Sequence, residues 1–247
     1  MKTSKYILII ITGIFLLLGT GATAQKRFVL EKPLTTESNT LNYKLAGKQY
    51  YNMIVPSGSV FLYNDWQDGY VKLINGDTYE NLSLKYNIFL DELIQINNRS
   101  VSMIMLDKNI IQEFGFYHTI DGDSMVFIKM NSEKNPKEEH YFQLLHSQNL
   151  KLLILHRSVE EETTLYKDKY GYLRNTVFKP RTIYYLVFPR DRFEKFKLKR
   201  KSFLNLFPKS RKKEIRRLLR RNRITFQSDE EAVQAVQLAE ELFYSGN

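Results

Sequence analysis

Hydrophobic and polar residues alternate most clearly between positions 69 and 88. Leu82, Leu84 and Tyr86 alternate with polar residues, and a shorter alternating run precedes them at residues 71–73. Asn75-Gly76 lies between the two runs, and this pair readily adopts the positive φ angles that both central positions of a tight hairpin turn require. The pattern predicts a β-hairpin with Asn75-Gly76 as its two-residue turn and with Leu82, Leu84 and Tyr86 facing the core.

Short apolar runs separated by polar residues continue as far as residue 188. They are Leu93–Ile96 and Val101–Leu106 around Asn97-Asn98, Ile110–Tyr117 and Met125–Met130 around Asp121-Gly122-Asp123, Tyr141–Leu145 and Leu152–Leu155 around Ser147-Gln148-Asn149, and Ile183–Phe188 before Pro189. Because no amphipathic segment of helical length lies between them, antiparallel pairing is favoured over a parallel sheet with crossover helices. The sequence therefore predicts a mainly β (α+β) fold, with an antiparallel sheet that is rolled, sandwich-like or an incomplete barrel.

Helical patterns begin only after residue 198. Residues 202–207 predict a short helical turn, and Pro208 can begin a second helix. In that helix Ile215, Leu218 and Leu219 have the spacing of one helical face, so we expect them to dock it on the sheet.

A last helix is predicted from the capping-box spacing of Ser228 and Glu231. Its predicted buried stripe consists of Ala232, Val236, Ala239, Leu242 and Phe243. We therefore expect an antiparallel β domain at residues 25–198 and a cap of two to three helices at residues 199–247, packed on the same domain.

The first 24 residues have the three-part layout of a secretory signal. Lys2 and Lys5 precede an apolar stretch from Tyr6 to Leu18, and small residues follow as far as Ala24. The apolar stretch is shorter than the roughly 20 residues of a spanning helix, although an uncleaved anchor is the alternative interpretation. We expect cleavage after Ala24 and export to the periplasm or the extracellular side of the envelope.

Composition and charge refine this picture. The chain has 16 Tyr, 16 Phe and no Cys, so it suits strands, and an exported form must fold without disulfides. The formal net charge of +10 is unevenly distributed, because residues 190–223 contain 16 basic and three acidic residues. One segment, and not the whole surface, is therefore strongly basic.

Two stretches of the chain stand out together: the strand sequence LKYNI at residues 84–88, and the segment from Phe203 to Arg223, which contains Phe-Pro followed by a basic helix. In these stretches the chain resembles a group of exported β-rich proteins of the Bacteroidota. The similarity in layout covers most of the chain after the signal. No activity is established for the group, so the resemblance implies export and architecture only. The helix here is rich in Arg where that group has Lys mixed with acidic residues.

Sequence motifs identify no catalytic residues. His118, His140, His146 and His156 have no metal-ligand spacing, although His146 and His156 could approach each other on paired strands. Asp121-Gly122-Asp123 lacks the later Glu of a calcium loop, and the glycines at 19 and 21 precede no helix of a dinucleotide-binding unit. We therefore expect neither a metal nor a cofactor, and an enzyme would need a site assembled from scattered sheet residues.

The basic helix is the principal candidate for function. Residues 209–223 contain nine Lys and Arg and one Glu. The candidate binding residues are Arg211, Lys212, Lys213, Arg216, Arg217, Arg220 and Arg221. Three interpretations remain: a solvated face, a surface for anionic envelope lipid, glycolipid or an acidic protein, and a nucleic-acid site, against which export argues. We expect a binding or structural protein and not an enzyme.

Overall fold

The structure is a computed structural model that describes residues 45–52, 55, 57–97, 102–117, 124–131 and 138–244. All of these residues belong to one compact unit, Thr35–Asn247. Its strands are β1 (Gly47–Gln49), β2 (Gln67–Leu73), β3 (Thr78–Asn87), β4 (Glu92–Asn97), β5 (Ser102–Leu106), β6 (Ile111–Phe116), β7 (Met125–Asn131), β8 (Glu139–Ser147), β9 (Lys151–Lys167), β10 (Leu173–Phe188) and β11 (Arg192–Phe196). Its helices are α1 (Arg200–Asn205), α2 (Lys209–Arg221) and α3 (Asp229–Tyr244).

Within the described residues, the eleven strands form one open antiparallel sheet. The strand order is β1-β5-β4-β3-β2-β6-β7-β8-β9-β10-β11, and most neighbours in the sheet are also neighbours in sequence. Short polar connections permit this arrangement because antiparallel strands need no crossover helix. The predicted mainly β fold with C-terminal helices is confirmed.

The hairpin of β2 and β3 is confirmed, but its predicted two-residue turn is wrong. The Asp77 carbonyl accepts a hydrogen bond from Leu73 N (2.8 Å), and the Leu73 carbonyl accepts one from Gly76 N (3.0 Å). The connection therefore contains three residues, 74–76, of which only Gly76 has a positive φ (91°). A turn followed by a left-handed glycine is the usual three-residue hairpin solution. Leu82, Leu84 and Tyr86 are buried as predicted.

The three other predicted strand pairs are also present. β4 pairs with β5, β6 with β7 and β8 with β9. The predicted turn at residues 121–123 lies outside the described residues, as does residue 98 of the Asn97-Asn98 turn. β9 and β10 are much longer than the runs at 152–155 and 183–188 predicted, and β1 and β11 were not predicted.

The sheet curls around an aromatic core. Ser158 in β9 donates a backbone hydrogen bond to the Ile88 carbonyl at the end of β3 (3.0 Å), although four strands lie between β3 and β9 in the sheet. Phe114 stacks on Phe127 with ring centroids 4.7 Å apart, and Tyr86 meets both rings edge-on. Such pairs add a specific contribution to the burial of large apolar surfaces.

The C-terminal helices share a second core with the end of the sheet. Phe203 of α1, Ile215 and Leu219 of α2 and Val236 of α3 are buried in it with Leu152 of β9. The first helix begins at Arg200 and ends at Asn205, two residues before the predicted bounds of 202 and 207.

The predicted capping box of α3 is formed only in part. Ser228 Oγ accepts a hydrogen bond from Glu231 N (3.4 Å), as expected. The Glu231 carboxylate does not reach back to Ser228, but accepts hydrogen bonds from Thr225 N (2.9 Å) and Gln227 N (3.0 Å). The hydrogen bond from Gln227 N contributes most to a pKa of Glu231 below its ordinary value. Glu231 therefore fixes the link that leads from α2 into α3.

Candidate functional site

At the N-terminal end of α2, the basic side chains are placed unfavourably with respect to the helix dipole. Pro208 is the N-cap residue in place of the predicted first helical residue, and no acidic residue lies in the first turn. Lys209, Arg211 and Lys212 occupy that turn, where the positive end of the helix dipole repels cations. Only Arg220 and Arg221, in the last turn, have a favourable position. Helix stability therefore does not account for this charge pattern.

Two of the three predicted docking residues of α2 are fully buried. Ile215 and Leu219 are 0% exposed, and they lie one turn apart on the face that meets the core shared with the sheet. Leu218 is only partly buried, because it is about 60° around the helix from Ile215 and about 100° from Leu219. Docking thus depends mainly on Ile215 and Leu219, and the prediction that Leu218 docks with them is met only in part, since Leu218 is partly buried.

The basic side chains of α2 occupy the rest of its circumference. Among the seven predicted binding residues, Arg211, Lys213, Arg216, Arg217, Arg220 and Arg221 are exposed. Lys212 is partly buried, and its Nζ donates to Asn205 Oδ1 over 3.2 Å. Arg211 forms an ion pair with Glu214 at 3.3 Å. Within the described part of the chain, the other five exposed cations have no acidic side chain within 4.0 Å.

This surface can bind an anion by charge and hydrogen bonding. Arg216, Arg217, Arg220 and Arg221 follow the i, i+1, i+4, i+5 spacing, so they lie side by side over about one turn and a half. Their guanidinium groups can each donate two parallel hydrogen bonds to a phosphate or carboxylate. We refer to these four residues and Lys213 as the basic face of α2.

A buried polar cluster around Asp91 was not predicted from the sequence. Asp91 Oδ1 accepts from Tyr86 Oη (2.5 Å), while Oδ2 accepts from Lys108 Nζ (2.7 Å) and His140 Nδ1 (2.8 Å). Arg157 lies against the same His140 ring, with Nη2 2.6 Å from Nδ1 and 3.1 Å from Nε2. Burial raises the pKa of Asp91, but these hydrogen bonds and the Lys108 charge outweigh it and hold the pKa below its ordinary value.

The Asp91 cluster resembles an acid–base site in composition but not in access. Both carboxylate oxygens are already occupied by protein donors, and the Asp91 side chain is 4% exposed. Four sequence segments meet here: the turn after β3, the loop after β5, the start of β8 and the middle of β9. The arrangement joins strands of the curled sheet through one buried charge, which is a structural function.

The other histidines are separated from one another. His146 donates from Nε2 to Glu240 Oε2 (2.6 Å), whereas His156 donates from Nε2 to Gln143 Oε1 (2.7 Å). The strand register pairs His146 with Leu152, so the approach of His146 to His156 that paired strands could have allowed does not occur. His118 lies outside the described residues.

The described residues offer neither a cluster of ligands for a metal nor a helix that could span a membrane. No three His, Cys, Asp or Glu side chains there are grouped so that they could hold a metal ion. No helix in the same residues is both long and apolar enough to cross a membrane. No family model, no characterised protein and no solved structure matches this chain.

Proposed function

We propose that this chain is an exported, non-enzymatic binding protein whose basic face of α2 contacts an anionic envelope surface. The observation that carries the proposal is the division of α2 between two faces. Ile215 and Leu219 hold the helix on the core, while the five side chains of the basic face point away from it without acidic partners among the described residues. The chemistry that fits this face is an array of phosphate groups, on lipid headgroups or on a phosphorylated glycolipid.

Charge density supports this assignment over a simple solvated face. Solubility requires only charges of mixed sign, whereas residues 209–223 contain one acidic residue among ten charged positions. Each Lys or Arg near an anionic surface contributes about 1 kcal/mol, and the effect decays over a Debye length of about 8 Å at physiological salt. Five clustered cations are therefore sufficient for reversible surface binding.

Export supports a lipid or glycolipid partner over nucleic acid. The predicted signal at residues 1–24 would direct the chain beyond the inner membrane, where nucleic acid is not the usual anion. Intact mass of protein recovered from envelope fractions tests this part of the proposal. A mass that begins at Gln25 supports export and cleavage, and a mass that still includes residues 1–24 contradicts them.

The rival function is an enzyme, and the Asp91 cluster is the observation that favours it. His140, Lys108 and Arg157 converge there on one carboxylate. We place this function second because Asp91 has no free oxygen for a substrate proton.

Vesicle co-sedimentation tests the basic face of α2. Changing Arg216, Arg217, Arg220 and Arg221 together to Gln removes four charges that make no ion pair within the described residues. We expect unchanged folding and a large loss of binding to vesicles that contain phosphatidylglycerol. Wild-type binding should fall as salt rises and should be weak on phosphatidylcholine alone.

A matched control removes the same number of charges elsewhere. Lys48, Arg190, Lys195 and Lys197 are exposed, lie outside α2 and form no ion pair within the described residues, so their joint change to Gln alters net charge equally. This control should bind nearly as well as wild type. Equal loss of binding in both variants would indicate that only net charge matters. Equal, salt-independent binding by all three proteins would show that the exposed side of α2 is only a solvated face.

A further inference from the structure

β9 and β10 extend beyond the sheet as a two-stranded ribbon. β8 pairs with β9 no further than Ile154, and β11 pairs with β10 only from Tyr184 to Phe188. Closer to the turn, the ribbon is held by Ser158 and Phe178, which bond to the segments around Ile88 and Ser57. On the turn side of these two contacts, between residues 158 and 178, no hydrogen bond or ion pair among the described residues joins the ribbon to the rest of the fold.

The far end of this ribbon exposes a concentration of large apolar side chains. We call residues 165–174 the hairpin tip. Its exposed residues are Leu165 (67%), Tyr170 (58%), Tyr172 (64%) and Leu173 (62%). They account for four of the seven large hydrophobic residues that are exposed in the described part of the chain. Such clustering at one end of a protein marks a surface that is covered by a partner.

Asp168 fixes the conformation of the tip. Its side chain is buried, and Oδ1 accepts hydrogen bonds from Tyr170 N and Tyr172 N, both at 2.9 Å. Oδ2 accepts a hydrogen bond from Arg174 Nε at 3.1 Å, and Gly171 takes a φ of 86° that suits glycine. The apolar side chains are therefore presented by a defined turn, so little ordering entropy is lost on binding.

Cations accompany the apolar residues at the tip. Lys169 Nζ lies 5.1 Å from the Tyr170 ring centroid, and the Arg174 guanidinium lies 5.5 Å from that of Tyr172. Lys167 is exposed beside them, and the one acidic residue, Asp168, is paired with Arg174. Along β9 the next carboxylate is that of Glu162, about 17 Å back along the strand from Lys167.

We propose that the hairpin tip inserts into the interfacial region of an anionic lipid bilayer. Leu165 and Leu173 would enter the boundary of the acyl chains, while the Tyr rings lie at the level of the headgroups, where aromatic residues concentrate. Lys167 and Lys169 complement the lipid phosphates. The mixture of leucine, tyrosine and lysine favours a bilayer interface over a protein groove, because each residue type finds its preferred depth there.

This contact does not rest on the proposed function of α2. The core beneath the helices contains Leu152 of β9, whereas the tip begins at Leu165, about 40 Å further along the strand. The tip therefore offers a separate surface. Its contribution should come mainly from apolar insertion, which salt screens little, whereas binding by α2 is electrostatic.

Vesicle binding by the chain from Gln25 onward tests the tip. This chain includes the whole compact unit Thr35–Asn247 and omits the apolar N-terminal stretch, which would itself bind lipid. Changing Leu165 and Leu173 together to Ser should lower the partition coefficient on phosphatidylglycerol-containing vesicles by at least about tenfold. Ile74→Ser is the matched control, because Ile74 is 63% exposed in the turn between β2 and β3; it should bind like wild type.

A spectroscopic measurement locates the tip directly. In Leu173→Trp, emission should shift to shorter wavelength on vesicles and be quenched by brominated acyl chains, above the background of the single native Trp66. This quenching should persist at raised salt and in the Gln variant of α2, which separates the two contacts.

Several results would overturn the proposal. They are failure of wild type to sediment with anionic vesicles, equal binding by the double Ser variant, and absence of quenching in Leu173→Trp. If vesicles do not bind but the double Ser variant loses a specific crosslink to an envelope protein, the tip is a protein-docking surface. Circular dichroism should show the wild-type fold in every variant, since the altered side chains are exposed.

Discussion

His146 in β8 and Glu240 in α3 form a buried hydrogen-bonded pair that joins the helical cap to the sheet. The His146 Nε2 to Glu240 Oε2 distance is 2.6 Å, and Glu240 Oε1 also accepts a hydrogen bond from Leu150 N at 2.5 Å. The two side chains are 7% and 5% exposed. One carboxylate thus satisfies an imidazole and a backbone N–H that would otherwise be buried without partners.

Replacing Glu240 with Ala should destabilise the protein by about 2–4 kcal/mol. The reason is that both His146 and the Leu150 N–H lose their partner in a buried site. Glu240→Gln should cost less, because its amide oxygen can still accept one of the two hydrogen bonds. Urea unfolding measures both. The exposed neighbour Glu241, changed to Ala, should shift stability by less than about 0.5 kcal/mol, and a similar small change at Glu240 would show that the pair does not hold the cap.

Asp91→Asn should destabilise the curled sheet by about 3–5 kcal/mol. Asn tolerates the positive φ of residue 91 (61°), so the substitution leaves the backbone unstrained, while it removes the charge and replaces one acceptor oxygen with an NH2 donor. Lys108 and His140 then face a neutral amide in a buried site. Chemical denaturation of this variant and of exposed Asp65→Asn provides the comparison. Equal stability of the two variants would mean that the cluster contributes no net free energy.

The lowered pKa of Asp91 makes its contribution to the free energy of unfolding depend on pH. Because the folded pKa lies below the ordinary value, the stabilisation is present above about pH 4 and is lost as pH falls through the folded pKa. The stability difference between wild type and Asp91→Asn should therefore shrink only in strongly acidic solution.

His156 should make the protein less stable as pH falls from about 6.5 to about 4. Burial beside Phe127 lowers the pKa of His156 to about 4, whereas the unfolded chain keeps a value near 6.5. In this window the unfolded state binds a proton that the folded state does not, so acidification favours unfolding by about 1–3 kcal/mol. His156→Gln should flatten the dependence of the unfolding free energy on pH. Parallel curves for the two proteins would show that folding does not lower the pKa of His156.

The parts of the fold that the sequence predicted are those with one buried face. Alternation at residues 82–88 is visible because Leu82, Leu84 and Tyr86 contact the aromatic core while their neighbours do not. The ribbon of β9 and β10 lacks this signal, because residues 160–165 are exposed or partly exposed on both faces. Pro180 also argues against a strand, but β10 pairs on one side only at that point, where a missing N–H is tolerated.

The candidate sites also differ in whether the sequence alone could identify them. The basic face of α2 is continuous in sequence, so composition alone located it. Asp91 and His140 are 49 residues apart, and His146 and Glu240 are 94 residues apart, so no local spacing in the sequence indicates these contacts. The sequence does not predict the exposed hairpin tip, because Tyr and Leu residues are typical of a buried strand. Only the structure shows that these side chains are exposed.

Docking of α2 gives the sharpest test of the helical cap. Leu219→Ala should cost about 2–5 kcal/mol, because Leu219 is 0% exposed and its truncation leaves a cavity in the core shared with β9 and α3. Leu218→Ala, one residue away and chemically identical, should cost less than about 1.5 kcal/mol, since Leu218 is only partly buried. Because both substitutions have the same effect on helix propensity, their difference in urea unfolding reports burial alone. Equal losses would mean that α2 is rotated from the orientation described, which would also turn part of its basic face towards the core.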